Sequence, residues 1–244
     1  MQAVILAAGV SSRLKPLTDN SPKCLLPIGK KNMLHRMIEN ILWNGIHEII
    51  IVTGYLHYMI EEYVSKTFPD INVKFINNAD YQNNNNCYSL WMVKDYVREK
   101  IILMDSDILF EKEIIKRLID SNHECCLAVN CHQCGEEEIK IVVDSQYRIK
   151  EISKTIHPRS ALGESIGIEY FSADGMKKMF DTLHKRVITE NRVNEWYEAS
   201  FQEWINNGGE LYAVDISDYL AMEIDFPEDI ETAEKTILPV LDKN

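Results

Sequence analysis

Residues 1–28 read MQAVILAAGVSSRLKPLTDNSPKCLLPI, and the reading of this stretch decides the fold. Gln2 to Ala7 is a short apolar run, the pattern of a strand buried on both faces. Ala7, Ala8 and Gly9 carry little or no side chain. The backbone after the strand can therefore approach a ligand, and its N–H groups suit anionic oxygens. Ser11, Ser12 and Arg13 open a polar loop that Pro16, Asp19, Asn20 and Pro22 keep irregular. Arg13 supplies a fork of donors and Lys23 a point charge. By composition alone the same residues describe a strand and a solvated loop with two ordinary cations.

The order Leu6-Ala7-Ala8-Gly9-Val10-Ser11-Ser12-Arg13-Leu14, then Pro16-Leu17-Thr18, then Pro22-Lys23, resembles the signature L-A-A-G-x-G-[ST]-R-[LM]-x-P-[LM]-T-x-x-x-P-K. That signature belongs to the nucleotidyltransferases, which include sugar-nucleotide pyrophosphorylases and choline-phosphate cytidylyltransferases. Ser11 departs from it, standing where the family has a second Gly. A Ser there requires negative φ or tolerated strain.

Composition bounds the alternatives. The chain has 244 residues and a net charge of −12, enough for one α/β domain with a sizeable core. The acidic balance argues against a nucleic-acid partner. A nucleotide substrate remains compatible with it, through a local basic loop and Mg²⁺. Without an apolar run of about 18 residues, no membrane span is expected. The N-terminus runs straight into structure, which points to the cytoplasm. Six cysteines in such a chain are expected to be thiols. Cys131-His132-Gln133-Cys134 has the spacing of half a zinc site, with Cys125 and Cys126 close by. Structural sites usually pair two such couples, so the stretch is read as a strand followed by a turn.

The remaining chain alternates. Lys31 to Asn44 carries apolar pairs every four residues and predicts an amphipathic helix ended by Gly45. Glu48–Thr53 reads as a strand, Leu56–Lys66 as a helix, Val73–Ile76 as a strand, Ser89–Val97 as a helix and Lys100–Met104 as a strand. This order predicts right-handed crossovers and a parallel sheet. The last strand delivers Asp105-Ser106-Asp107 at its C-terminal end, where ligands sit in open α/β sheets. Continued extension would put both carboxylates on one side; alternatively, Ser106 or Asp107 caps a helix around Lys112–Ser121. Cys125–Asn130, Ile139–Val143, Arg148–Ser153 and Ile166–Phe171 read as strands joined by short turns, hence antiparallel additions. Helices over Ala173–Arg186 and about 194–206 follow, with Trp196, Tyr197, Phe201 and Trp204 at helical spacing, mostly core. Trp196 and Tyr197 could also wall a bound amine by cation–π contact. Strands at Glu210–Ile216 and Leu220–Ile224 and a helix from Pro227 complete the chain.

Three later segments extend the resemblance. Asn85, Asn86, Ser89 and Leu90 match the N-N-x-Y-S-L run of cytidylyltransferases acting on small phosphorylated amines, with Asn84 in place of Thr. Gly163-Glu164-Ser165-Ile166-Gly167-Ile168 resembles their acceptor-side loop, and Glu223-Ile224-Asp225 their metal-bearing E-I-D run. The resemblance implies a Rossmann-like α/β fold, with a mostly parallel sheet flanked by helices and an antiparallel acceptor-binding lid. We expect a single domain, with a nucleotide-binding core at about 1–122 and 210–238 and a lid at about 123–209.

It also implies roles. Arg13 and Lys23 neutralise the phosphates of CTP. Leu6, Ala7, Ala8 and Gly9, with Asn85, Asn86, Ser89 and Asp105, line the nucleotide. Asp107 and Asp225 hold Mg²⁺. Lys154, after Glu151-Ile152-Ser153, meets the acceptor phosphate, while Glu164, Trp196, Tyr197 and Glu198 face the rest of a small phosphorylated or phosphonate acceptor. Outside the resemblance, Lys154 reads as an ordinary surface lysine, and Asp225 as the cap of the helix at Pro227. A hexose-1-phosphate pyrophosphorylase using UTP, dTTP or GTP, and a silent nucleotide-sensing subunit, are the competing readings. The oligomeric state stays open, with a homodimer among the alternatives.

Overall fold

The computed structural model describes residues 1–243. In chain order the elements are β1 (Gln2–Ala7), a small hairpin of β2 (Pro27–Ile28) and β3 (Lys31–Asn32), α1 (Met33–Trp43), β4 (Glu48–Thr53), α2 (His57–Thr67), β5 (Asn72–Asn77) and α3 (Asn86–Met92). Then come β6 (Ile101–Asp105), β7 (Ile108–Phe110), α4 (Glu113–Ile119), β8 (Cys125–Asn130), β9 (Lys140–Val143), β10 (Ile149–Ser153) and β11 (Gly163–Phe171). The chain closes with α5 (Ala173–His184), α6 (Glu198–Asn206), β12 (Tyr212–Asp215), β13 (Ala221–Glu223), α7 (Pro227–Thr236) and α8 (Leu238–Leu241).

β1 is the centre. It pairs in parallel with β4 on one side and β6 on the other, and β5 extends the sheet beyond β4. Its alternate residues feed two cores: Ala3, Ile5 and Ala7 pack with α1, α2 and α4, while Val4 and Leu6 pack with α3, α5 and α6. Burial on both faces is what the unbroken apolar run requires. Beyond β6 the sheet turns antiparallel, as expected. β11 pairs with β6 and with β8 and β9, and β10 hangs on β9. β12 returns parallel to β8. The additions thus continue one sheet rather than forming a separate layer. Among the described residues no helix is long and apolar enough to cross a membrane. All six cysteines are free thiols.

Local details of the structure sharpen these expectations. α3 begins at Asn86, not Ser89, because the Asn85 side chain accepts the Asn86 N–H at 2.8 Å and starts the helix three residues earlier. The 163–168 stretch is strand rather than loop, kinked at Gly167 with φ +68°. A Cβ there would stand 2.8 Å from Asp105 Oδ2, so the close approach of β11 to Asp105 requires glycine. β13 leaves the main sheet and forms a ribbon with β7. Finally, Ser11 takes the left-handed conformation itself, at φ 53° and ψ 54°. Its carbonyl accepts the Thr18 hydroxyl at 3.0 Å and the Leu14 N–H at 3.2 Å, which hold the turn.

Left-handed backbone costs a non-glycine residue about 1–2 kcal/mol, partly offset in a Gly variant by about 0.5–1 kcal/mol of extra unfolded-state entropy. Ser11→Gly is therefore expected to raise stability by roughly 0.5 kcal/mol, and Ser11→Val to lower it by at least about 1 kcal/mol. Denaturant unfolding of the two variants beside the parent checks the ordering; a Gly variant less stable than the Val variant contradicts it.

Candidate active site

The opening loop is pinned at both ends. Ala8 O accepts the Tyr55 N–H at 3.1 Å, and Gly54 packs so tightly there that a Cβ would lie 2.7 Å from the same oxygen. Tyr55 Oη reaches the Thr18 and Asp19 carbonyls at 2.9 and 2.8 Å. The loop then delivers Lys23, only 7% exposed, to the end of β6. Lys23 Nζ lies 2.9 Å from Asp107 Oδ2 and 2.7 Å from Asp225 Oδ1. Burial works to lower the Lys23 pKa, but the two carboxylates outweigh it and hold the ammonium above its ordinary value. Arg13 covers the cluster from the rim, with Nη2 2.8 Å from Asp225 Oδ2 and its guanidinium 5.3 Å from the Phe226 ring centroid.

The aspartates arrive by different routes. β6 ends at Asp105, and Ser106–Asp107 form a turn into β7. Extension does not continue, so Asp105 and Asp107 do not share a partner. Asp107 faces Lys23, whereas Asp105 Oδ2 accepts from the Tyr197 hydroxyl at 2.8 Å. Asp225 follows β13, whose pairing with β7 sets Ile224 N on Asp107 O at 3.0 Å. Asp225 is not the helix cap. Asp229 accepts the Asp225 and Phe226 N–H groups at 2.8 and 2.7 Å, which frees the Asp225 carboxylate for the cluster.

A cleft of about 220 Å³ adjoins this cluster. Leu6, Ala7, Ala8 and Gly9 form one wall, Asn85, Asn86 and Ser89 another, and Asp105 and Asp107 its end. The asparagine wall is cross-braced. Asn78, 1% exposed, donates to Asn84 Oδ1 at 2.7 Å and to Ser89 Oγ at 3.0 Å, and Asn86 Oδ1 accepts the Tyr197 N–H at 2.9 Å. Sequence reasoning passed over Asn78. Its signal was a polar residue directly after a strand of the parallel sheet.

The expected acceptor residues are divided. Lys154 Nζ sits 4.3 Å from the centroid of Trp196, which is 44% exposed. Both line a second depression with Glu198, and Asn85 borders this hollow and the first cleft alike. Tyr197, by contrast, is fully buried and forms no wall. α6 starts only at Glu198, so Trp196 and Tyr197 precede the helix and point apart. The Tyr197 hydroxyl lies 3.2 Å from Glu169 Oε1 as well as bonding Asp105. Burial pushes both Asp105 and Glu169 well above the usual carboxylate range, aided next by the Asp107 charge at Asp105 and by the Asp105 charge at Glu169. This buried trio fixes the far end of the cleft. Glu164 does not line the Lys154 hollow; its Oε2 lies 4.0 Å from His132 Nε2, and burial followed by the Glu138 charge pushes it up to about 7.

Two further carboxylates stand out. Glu198 Oε2 is buried without a hydrogen-bond partner, and burial pushes its pKa up to about 7 against the pull of Lys154. Glu223, at the exposed end of β13, is raised by loss of solvation and then by the nearby Asp107, Glu164 and Asp225 carboxylates, to about 8. It is the first residue of the E-I-D match and carried no expected role of its own. Asp107 and Asp225 themselves present hard carboxylate oxygens on either side of one cationic position. That donor set fits Mg²⁺, which typically takes one or two carboxylates plus phosphate oxygens.

The profile of the Nucleotidyl transferase family matches residues 2–150. Among curated proteins, CTP:phosphoglutamine cytidylyltransferase of Campylobacter jejuni is 29% identical over 253 aligned positions, covering 95% of this chain and 98% of that one. Choline-phosphate cytidylyltransferase of Streptococcus pneumoniae is 26% identical, covering 91% and 97%. The solved structure of CTP:phosphocholine cytidylyltransferase from Streptococcus pneumoniae has the same fold, with a TM-score of 0.82 at 24% identity over 96% of this chain and 97% of that one. The opening signature, the parallel half of the sheet and the family match agree, and the chain belongs to the nucleotidyltransferases.

Proposed function

We propose that this nucleotidyltransferase is a Mg²⁺-dependent cytidylyltransferase. It would transfer CMP from CTP to a small phosphorylated or phosphonate metabolite that also carries a cationic group, and release pyrophosphate. The observation that carries the reading is the adjacency of two sites. The Lys23–Asp107–Asp225 cluster closes one end of a cleft sized for a nucleotide's parts, and the Lys154–Trp196–Glu198 hollow opens next to it across Asn85. The relatives named for CTP and for phosphocholine or phosphoglutamine support the nucleobase and the acceptor class.

In this reading an anionic oxygen of the acceptor attacks the alpha phosphorus of CTP in line, forming one P–O bond while the bond to pyrophosphate breaks. The attacking oxygen is already ionised near neutral pH, so the chain's task is alignment and charge neutralisation. Lys23 and Arg13 stabilise the negative charge on the transferring and leaving phosphates. Leu6, Ala8 and Gly9 offer backbone groups to the base, held in place by the Tyr55 and Gly54 contacts. Asn78 and Ser89 keep the Asn85–Asn86 wall rigid. Lys154 binds the acceptor phosphate, while the Trp196 face and the Glu198 carboxylate receive its cation. Mg²⁺ held by Asp107 and Asp225 would supply further neutralisation of the triphosphate.

Asp107→Asn and Asp225→Asn are each expected to cut turnover at least about a hundredfold with the fold retained. EDTA is expected to abolish turnover. Pyrophosphate release across a panel of NTPs and acceptors checks both the metal and the substrates. Turnover undiminished in EDTA, or robust turnover with glucose 1-phosphate and none with phosphorylated amines or amino acids, rejects the proposal.

The Glu198 environment predicts a pH effect. Its protonated form dominates below pH 7 and its carboxylate above, since burial places the titration at about 7. The KM for a cationic acceptor should therefore fall as pH rises from 6 to 8, by about tenfold, the growth in ionised fraction across that window. The KM for CTP should not follow it. In Glu198→Gln the acceptor KM should be high and lose this component of the pH dependence; an unchanged profile would remove Glu198 from the acceptor site.

A further inference from the structure

The loop between β8 and β9 carries a cluster that the transfer chemistry does not use. A His132 ring nitrogen, Cys134 Sγ and a Glu138 carboxylate oxygen all lie within 4.8 Å of one another. Each side chain is already oriented. His132 Nδ1 stands 3.0 Å from the Asn130 carbonyl, which assigns the proton to Nδ1 and leaves the Nε2 lone pair facing the cluster. Glu138 spends Oε2 on the Gly135 N–H at 2.6 Å and leaves Oε1 3.5 Å from His132 Nε2. Cys134 is buried at 5% exposure. The loop is wound around Lys140, which is fully buried and donates to the Gly135, Glu136 and Glu138 carbonyls at 3.1, 2.8 and 3.0 Å.

We propose that His132, Cys134 and Glu138 form a zinc-binding site. One imidazole, one thiolate and one carboxylate suit Zn²⁺, whereas an oxygen-only set would suit Mg²⁺ or Ca²⁺. Ligand atoms on a tetrahedral ion with bonds of about 2.0–2.3 Å stand roughly 3.3–3.8 Å apart, so small rotations of these side chains close the site. Glu164 Oε2, 4.0 Å from His132 Nε2, is near enough to supply a fourth ligand. Binding releases the Cys134 thiol proton to solvent as the Zn–S bond forms.

The ligand set is not the Cys131/Cys134 couple that the spacing suggests. Cys131 turns away, its thiol hydrogen-bonded to the Asp215 carboxylate. The bound ion would tie the 131–139 loop to the Glu164 end of β11 beside the cleft.

The test uses untagged, full-length protein with Zn²⁺ or Co²⁺ alone. One zinc per chain should survive dialysis by elemental analysis, and Co²⁺ should produce a thiolate-to-cobalt charge-transfer band. His132→Ala and Cys134→Ser should each weaken zinc binding at least about a hundredfold with an unchanged far-ultraviolet circular dichroism spectrum. Cys131→Ser should keep both the stoichiometry and the band. The half-exposed His132 makes its variant safe for folding, even if the buried Cys134 does not tolerate change. Wild-type protein that takes up only trace zinc without a cobalt–thiolate band overturns the proposal. So does wild-type affinity in His132→Ala, or loss of the band in Cys131→Ser.

Discussion

The Lys23 ammonium stands between the carboxylates of Asp107 and Asp225, and three distant parts of the chain must meet for it to do so. The opening loop brings the lysine, the end of β6 brings one aspartate, and the ribbon of β7 and β13 brings the other. A lysine 7% exposed is tolerable only with such partners. Removing one member of a buried pair typically costs about 3–5 kcal/mol, because the remaining charge stays desolvated. With no other side-chain cation between them among the described residues, Lys23 is what keeps the two carboxylates from facing each other uncompensated. The contacts of Tyr55, Gly54, Thr18 and Asp229 all serve to keep these three parts in place.

Around that cluster the site is strongly acidic. Glu164, Glu198 and Glu223 are all pushed toward neutral pH, and Asp105 and Glu169 further still. The two groups of acids play different physical parts. Asp105 and Glu169, both raised by burial, are joined through the Tyr197 hydroxyl into a hydrogen-bonded floor at the end of the cleft. Glu198 and Glu223 stay near the point where a cation tips them to carboxylates. A site built this way discriminates by charge at its edges and by shape at its floor.

Much of this was legible in residues taken singly. The apolar run of β1 foretold a strand buried on both faces, and the paired apolar positions of α1 foretold its helix. The opening signature pointed to Arg13 and Lys23, and the strand-end position singled out Asp107. Short-range pattern and long-range packing part company at three places. Trp196 and Tyr197 share the spacing of a helical stripe, yet the helix begins after them, so one is exposed and the other buried. Asp105 and Asp107 share the parity of a strand, yet the strand stops between them. Cys131 and Cys134 have the spacing of a ligand couple, yet the loop wound on Lys140 gathers His132 and Glu138 around Cys134 instead.

The sequence by itself therefore determined the family, the order of helices and strands, the parallel start and antiparallel continuation of the sheet, and the two cations of the opening loop. These follow from local periodicity, turn residues and a long contiguous motif. Tertiary structure alone decided that Asp225 meets Asp107 across Lys23, that Glu164 does not line the Lys154 hollow, and that Tyr197 joins Asp105 and Glu169. Each of these depends on desolvation and on distances between residues remote in the chain. Neither quantity is encoded in the identity of a residue or its neighbours, because both arise only when separate segments exclude water from the same volume.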